Sequence, residues 1–150
     1  MGDLPYHGGT CAWARDYSGA VRPTSVELRL LGPLEALRDG RRVRLGGRRQ
    51  RTMLAALALQ LGRAMSWEAL VDAVWGEQPP ATARQQIHSS ISGLRQALGP
   101  VIATTAAGYE LCPISASVDV TVFEAQVERA RRSEERRVGK ECRSRWSPDH

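Results

Sequence analysis

Between Trp75 and Tyr109 the chain reads WGEQPPATARQQIHSSISGLRQALGPVIATTAAGY, and this stretch decides the fold. It predicts the end of one helix, a Pro-rich loop, a long amphipathic helix and a short β-hairpin. The long helix is predicted to begin at Thr82, which forms a capping box with Gln85, and to end at Gly99-Pro100. Its apolar residues repeat at helical spacing on one face: Ala83, Ile87, Ile91, Leu94 and Leu98.

The opposite face of this helix carries uncharged hydrogen-bonding side chains, where a helix facing only solvent would carry Lys and Glu. At about 100° per residue, four side chains lie opposite Ile87: Gln85, Ser89, Ser92 and Gln96. Gln can pair with adenine through two hydrogen bonds, and Ser can donate or accept at several bases. Gln86 and Gly93 lie on one flank of this face. The DNA-facing set predicted from the sequence comprises Gln85, Gln86, Ser89 and Gly93.

The residues before this stretch predict a small antiparallel sheet and two more helices. Val26, Leu28 and Leu30 alternate with polar residues, and Asp39-Gly40 is a hairpin signal between two short strands. Helical spacing then runs from about Arg48 to Leu61. Ser66 is placed as the N-cap of a second helix, in which Trp67 and Trp75 are assigned to the apolar stripe.

The order sheet, helix, helix, helix, hairpin predicts an α+β fold, the winged helix-turn-helix. In that fold the third helix lies in the DNA major groove, and the hairpin, or wing, touches the flanking backbone or minor groove. Three Arg side chains begin the first long helix, where they oppose the helix dipole and a phosphate partner would offset the cost. A solvated Arg face is the alternative. The predicted contacts to the DNA backbone are Arg48, Arg49, Arg51, Arg95, Thr104, Thr105 and Tyr109, although Tyr109 could equally pack beneath the wing.

Five segments in order carry a family resemblance: LRLLGPLEAL, GRRQRTMLAALALQLGRAMS, LVDAVWGEQPP, ISGLRQALG and AAGYEL. They resemble the OmpR-like DNA-binding domain of the SARP antibiotic-regulatory activators, from Val26 to about Cys112. The resemblance implies an activator that binds tandem direct repeats near promoters and recruits RNA polymerase, often at secondary-metabolite genes. It adds Ser90 to the expected base contacts. Members of that family commonly carry Arg at the position of Gly93, so a base or phosphate contact is expected to be missing here.

The resemblance also implies a polymerase contact in the loop between the second and third helices, for which a Pro-stiffened connector is the alternative. The loop residues concerned are Glu77, Gln78, Pro79 and Pro80.

Four segments are expected along the chain. Residues 1–24 are expected to be a disordered leader or an upstream extension of the true start, and residues 25–113 the winged-helix domain. Residues 114–131 include VDVTVFEAQVERAR, which resembles the first helix of a truncated bacterial transcriptional activation domain. Residues 132–150 resemble a translated sequencing adapter and are expected to be an artefact, with a basic nucleic-acid arm as the alternative.

Charge and composition support a nucleic-acid partner only weakly. The net charge of +5 falls to +3 when residues 132–150 are left out. The three cysteines are scattered and indicate neither a disulfide framework nor a zinc site. Phosphate-loop, GxSxG and HExxH motifs are missing from the sequence, so we expect no catalytic residues, no metal and no cofactor.

The expected partners are double-stranded DNA, RNA polymerase and a second copy on DNA. The longest apolar runs fall short of a membrane span, and a reduced cytoplasmic location is expected. Two other functions stay open: a winged helix that docks another protein through the same face, and the head of a larger regulatory ATPase.

Overall fold

The computed structural model describes residues 25–144, with side chains described as far as residue 137. The expected leader and the last six residues of the expected artefact therefore lie outside the described residues. The elements are β1 (Val26–Arg29), β2 (Glu35–Arg38), β3 (Arg41–Val43), α1 (Arg48–Leu59), α2 (Trp67–Trp75), α3 (Ala83–Leu98), β4 (Ile102–Thr105), β5 (Gly108–Leu111), β6 (Ala116–Val118) and α4 (Asp119–Ser144). This order confirms the predicted α+β winged helix-turn-helix.

The N-terminal sheet has four strands in the order β3-β2-β1-β6. β1, β2 and β3 pair antiparallel, as the sequence predicted, and Asp39 and Gly40 have the positive φ values, 51° and 79°, that a two-residue hairpin turn favours. β6 was not predicted, and it pairs parallel to β1, with Val26 beside Ala116. The sheet is therefore mixed, and the expected boundary at residue 113 falls before a strand that belongs to it.

Three helices form the core under this sheet. Ser66 caps α2 as predicted, because its hydroxyl accepts a hydrogen bond from the N–H of Ala69 at 3.2 Å. The predicted apolar face of α3 is buried along its whole length, together with α1 residues such as Leu54 and Leu57. This packing fixes which side of α3 is left exposed.

Trp67 does not join the core, contrary to the sequence prediction, whereas Trp75 is half-buried and packs against it. Trp67 is 41% exposed, because this residue begins α2 one turn before the first buried residue of the helix, Leu70. The Arg84 guanidinium of α3 lies 5.6 Å from the Trp67 ring centroid instead.

α4 runs on past Arg131 to Ser144, through the segment expected to be an artefact. Helix here follows from composition, since Arg and Glu are good helix formers and Glu128 pairs with Arg132 one turn later at 3.3 Å. The helix therefore does not distinguish a translated adapter from a basic nucleic-acid arm. At its other end, Asp119 joins α4 to the sheet by accepting backbone hydrogen bonds from Leu30 at 2.8 Å and Leu31 at 3.1 Å.

Candidate nucleic-acid interface

The side of α3 that faces away from the core presents uncharged polar groups, as the sequence predicted. The exposed side chains that lie opposite the buried Ile87, here named the outer face, are Gln85, Ser89, Ser92 and Gln96. Gln85 and Ser89 are two of the predicted base contacts. Ser92 and Gln96 were left out of that set, although the same helical spacing places them there. The outer face can offer hydrogen-bond donors and acceptors to an incoming ligand.

Gln86 lies on the flank of α3 that faces α1. Its Oε1 accepts a hydrogen bond from Arg49 at 2.7 Å, and its Nε2 donates one to Thr82 Oγ1 at 2.9 Å. The predicted capping box between Thr82 and Gln85 does not form, because Thr82 has φ −94° and ψ 11° instead of the extended conformation of an N-cap. Gln85 is thereby left for the outer face, and Gln86 is held by α1.

Two other predicted base contacts also lie on this flank. Ser90 is half-buried, and its backbone carbonyl accepts a hydrogen bond from Nε2 of Gln50 at 3.2 Å. Gly93 lies beside the same Gln50 side chain. Gln50 was missed by the sequence prediction because only the tertiary fold brings α1 against α3.

The opposite flank of α3 is tied to the wing. Arg95 donates to the Ile102 carbonyl at 2.9 Å and to the Thr104 hydroxyl at 2.7 Å. Two of the predicted backbone contacts, Arg95 and Thr104, are thus bonded to each other. His88 Nδ1 lies 2.9 Å from the Tyr109 hydroxyl. Tyr109 is only 6% exposed, so it packs beneath the wing, which is the alternative that the sequence left open to a backbone contact.

The wing is a two-residue hairpin whose last pair is Thr105 and Gly108. The Thr105 hydroxyl donates to the Gly108 carbonyl at 3.2 Å, while Thr104 is exposed on the same strand. Gly108 has φ +138°, and a Cβ there would collide with the Met65 carbonyl oxygen, so glycine is required. This close approach anchors the wing on the connection between α1 and α2.

Positive charge gathers at the start of α1. Arg48 and Arg49 are exposed, and Arg51 donates to the Leu34 carbonyl at 3.0 Å. The first turn of α1 holds no acidic residue, and its N-cap, Gly47, has no side chain to cap it. The Arg49 guanidinium lies 5.7 Å from the centroid of the Trp75 ring, which holds it near α3. The helix dipole and these side chains together favour an anion here.

The loop between α2 and α3 is open to solvent. Glu77, Gln78 and Pro79 are exposed, and Pro80 is half-buried with its carbonyl accepting from the Ala83 N–H at 3.0 Å. The loop thus combines a fixed end with an accessible tip.

The described part of the chain was also searched for metal sites and for membrane-spanning helices. Residues 25–144 contain no group of three or more His, Cys, Asp or Glu side chains that could hold a metal ion. Their helices also include none that is long and apolar enough to cross a bilayer. The outer face of α3, the wing and the start of α1 remain the main candidate surface.

A buried three-helix core, an exposed polar third helix and an anchored wing define the fold class: the winged helix-turn-helix, which DNA-binding domains commonly adopt. Comparison with known proteins agrees, since residues 40–111 match the family model described as "Transcriptional regulatory protein, C terminal". This match agrees with the DNA-binding regulator domain that the sequence predicts.

Three relatives show how far the likeness extends. The chain is 41% identical over 93 residues to the regulatory protein AfsR of Streptomyces coelicolor, which covers 61% of this chain and 9% of AfsR. It is 33% identical over 123 residues to the regulatory protein DnrI of Streptomyces peucetius, covering 74% of this chain and 45% of DnrI.

The third relative has a solved structure, that of Mycobacterium tuberculosis EmbR in complex with a low affinity phosphopeptide. It matches with a TM-score of 0.57 and 34% identity over 62% of this chain and 27% of EmbR. The chain therefore spans less than half the length of each of these three relatives.

Proposed function

We propose that the domain reads DNA sequence through the outer face of α3, while α1 and the wing hold it on the phosphate backbone. The observation that carries this proposal is the exposure of four uncharged polar side chains on one side of a helix whose other side is buried. Base edges in the major groove are read by such groups, and phosphates by Arg and by helix N-termini.

The flanks of α3 have a supporting part in this proposal. Arg49 reaches phosphate from α1 and positions Gln86, and Arg95 fixes the angle between α3 and the wing through Thr104. Arg48, Arg51 and Thr105 supply further backbone contacts. Gln86 and Ser90 approach the bases from the α1 side, behind Gln85 and Ser89.

The test begins with the whole chain and a pool of random DNA duplexes. Duplexes retained by the protein are sequenced, and the enriched one is titrated at several salt concentrations. We expect enrichment of one motif and a log–log salt slope of several units, since each neutralised phosphate adds about 0.9. Binding no tighter than to random DNA at low salt would contradict the proposal and favour a protein-docking winged helix.

Variants then locate the reading surface. Gln85→Ala and Ser89→Ala are expected to relax the preference at one base position each and to leave the salt slope unchanged. Gln126→Ala is the matched control, because Gln126 is an exposed amide on α4. An equal loss of preference in the control would place the reading surface elsewhere.

We also propose that the protein activates secondary-metabolite genes. Two copies bind direct repeats in the DNA, and the α2–α3 loop contacts RNA polymerase. The exposed tip formed by Glu77, Gln78 and Pro79 supports a partner at this loop. A reporter promoter with tandem copies of the selected motif should respond more than one with a single copy. Glu77→Ala should lower that response without changing DNA affinity, whereas an unchanged response would make the loop a simple connector.

A further inference from the structure

A carboxamide from α1 fills the space beside the middle of α3. A Cβ built on Gly93 would lie 2.6 Å from Nε2 of Gln50, and a Cβ built on Gly46 would collide with its Oε1. The Gln50 amide is therefore seated between two glycines, one in the loop before α1 and one in α3. It occupies the volume that a side chain at position 93 would need.

Gly93 lies at the border between the outer face and the flank that faces α1. It follows Ser89 by four residues and precedes Gln96 by three, so both exposed side chains are its neighbours on the helix surface. The amide of Gln50 thus reaches the edge of the outer face from a different helix. Gln50 itself is half-buried, which leaves part of its side chain accessible.

The hydrogen bonds of Gln50 leave capacity for another partner. Its Nε2 donates to the Ser90 carbonyl at 3.2 Å, which uses one of two N–H donors. The Ser90 carbonyl fixes the orientation of the Gln50 side-chain amide before any ligand binds. A primary amide fixed in this way can donate and accept at a base edge, as Gln does with adenine.

We propose that Gln50 is a DNA-contacting, specificity-determining residue of this chain, presenting from α1 the polar group that α3 lacks at Gly93. The inference rests on the DNA-reading function proposed above. A side chain at position 93 would displace the Gln50 amide from this position.

The test compares two substitutions that remove the same amide in different ways. Gln50→Met keeps the length of the side chain and removes its hydrogen-bonding groups. Gly93→Ala leaves Gln50 in the sequence but places a Cβ where the amide lies. Each is expected to weaken binding of the whole chain to its selected duplex about three- to tenfold, the loss of one hydrogen bond, with an unchanged salt slope.

The double variant gives the sharper result. Gln50→Met with Gly93→Ala is expected to bind as weakly as either single variant, because both changes abolish one contact. Gly32→Ala and Gln126→Met are the controls, since Gly32 has no heavy atom within 4 Å of an added Cβ and Gln126 lies on α4. Both controls are expected to bind within about twofold of the unmodified chain.

Three outcomes would overturn the inference. Affinity unchanged by Gln50→Met, or improved by Gly93→Ala as higher helix propensity alone would favour, makes Gln50 a packing residue. Losses that add in the double variant place the two residues at separate sites. In all three cases the DNA-reading function stands, whereas failure of the unmodified chain to select any duplex removes that function and this inference together.

Discussion

The third and fourth helices both repeat apolar residues at helical spacing, yet only α3 buries them. Its five apolar positions are at most 6% exposed, whereas Val122 and Phe123 of α4 are 51% and 52% exposed. The polar sides differ as well: the outer face of α3 is uncharged, and α4 carries Glu128 and Arg132. The apolar repeat is common to the two helices, so burial and the composition of the polar side are what distinguish α3, the helix proposed to contact DNA, from α4.

The largest expected difference between the two helices is in stability. Leu94→Ala removes a fully buried side chain of α3 and should lower the free energy of unfolding by about 2–5 kcal/mol. Phe123→Ala on α4 should change it by less than about 0.5 kcal/mol. Urea denaturation followed by circular dichroism measures both. Similar losses would mean that α4 packs as α3 does.

A second difference is expected in DNA binding. Arg49→Ala should reduce the log–log salt slope by about 1 and weaken binding up to about tenfold, because a phosphate contact is lost. Arg132→Ala on α4 is the control and should leave both unchanged. Fluorescence anisotropy at several salt concentrations makes the comparison. An equal decrease in slope for Arg132→Ala would instead support a basic arm in residues 132–150.

A third test uses pH at the start of α4. Burial raises the pKa of the Asp119 carboxyl, but backbone N–H donors led by that of Leu30, with the charge of Arg29, outweigh burial and leave the pKa lowered. A lowered pKa in the folded state stabilises the fold above the unfolded value, about pH 3.9, and that contribution is lost as pH falls below it.

Asp119→Ala should therefore lower the free energy of unfolding by about 1 kcal/mol at pH 7, and by progressively less below about pH 4. Urea unfolding at pH 7 and at pH 3 measures the change. A deficit that persists undiminished at pH 3 would show that the ionised carboxylate is not what joins α4 to the sheet.

The smallest effect is expected on the polar side of α4. Glu128→Ala breaks an exposed pair with Arg132 and should change the free energy of unfolding by less than about 0.5 kcal/mol. Thermal unfolding at low salt is the measurement. A loss above about 1 kcal/mol would show that Glu128 makes stabilising contacts in addition to its pair with Arg132.

Much of the candidate site was predictable from the residues. Gln85 and Ser89 lie where helical spacing put them, and the wing hairpin turns between Thr105 and Gly108. Trp67 was misplaced because an apolar residue in the first turn of a helix matches the stripe without reaching the core. Gln50 was missed because nothing local connects it to Ser90, forty residues later in the chain.

The sequence by itself determined the helices, the turns and the uncharged side of α3, because spacing and turn chemistry act over a few residues. Only the tertiary structure decided which polar groups of α3 remain for a ligand. Arg49 holds Gln86, Gln50 holds Ser90, and Arg95 is bonded to the wing. The tertiary structure likewise placed β6 beside β1. These pairings depend on helices and strands meeting after long intervals of chain, and such meetings are set by packing of the whole core.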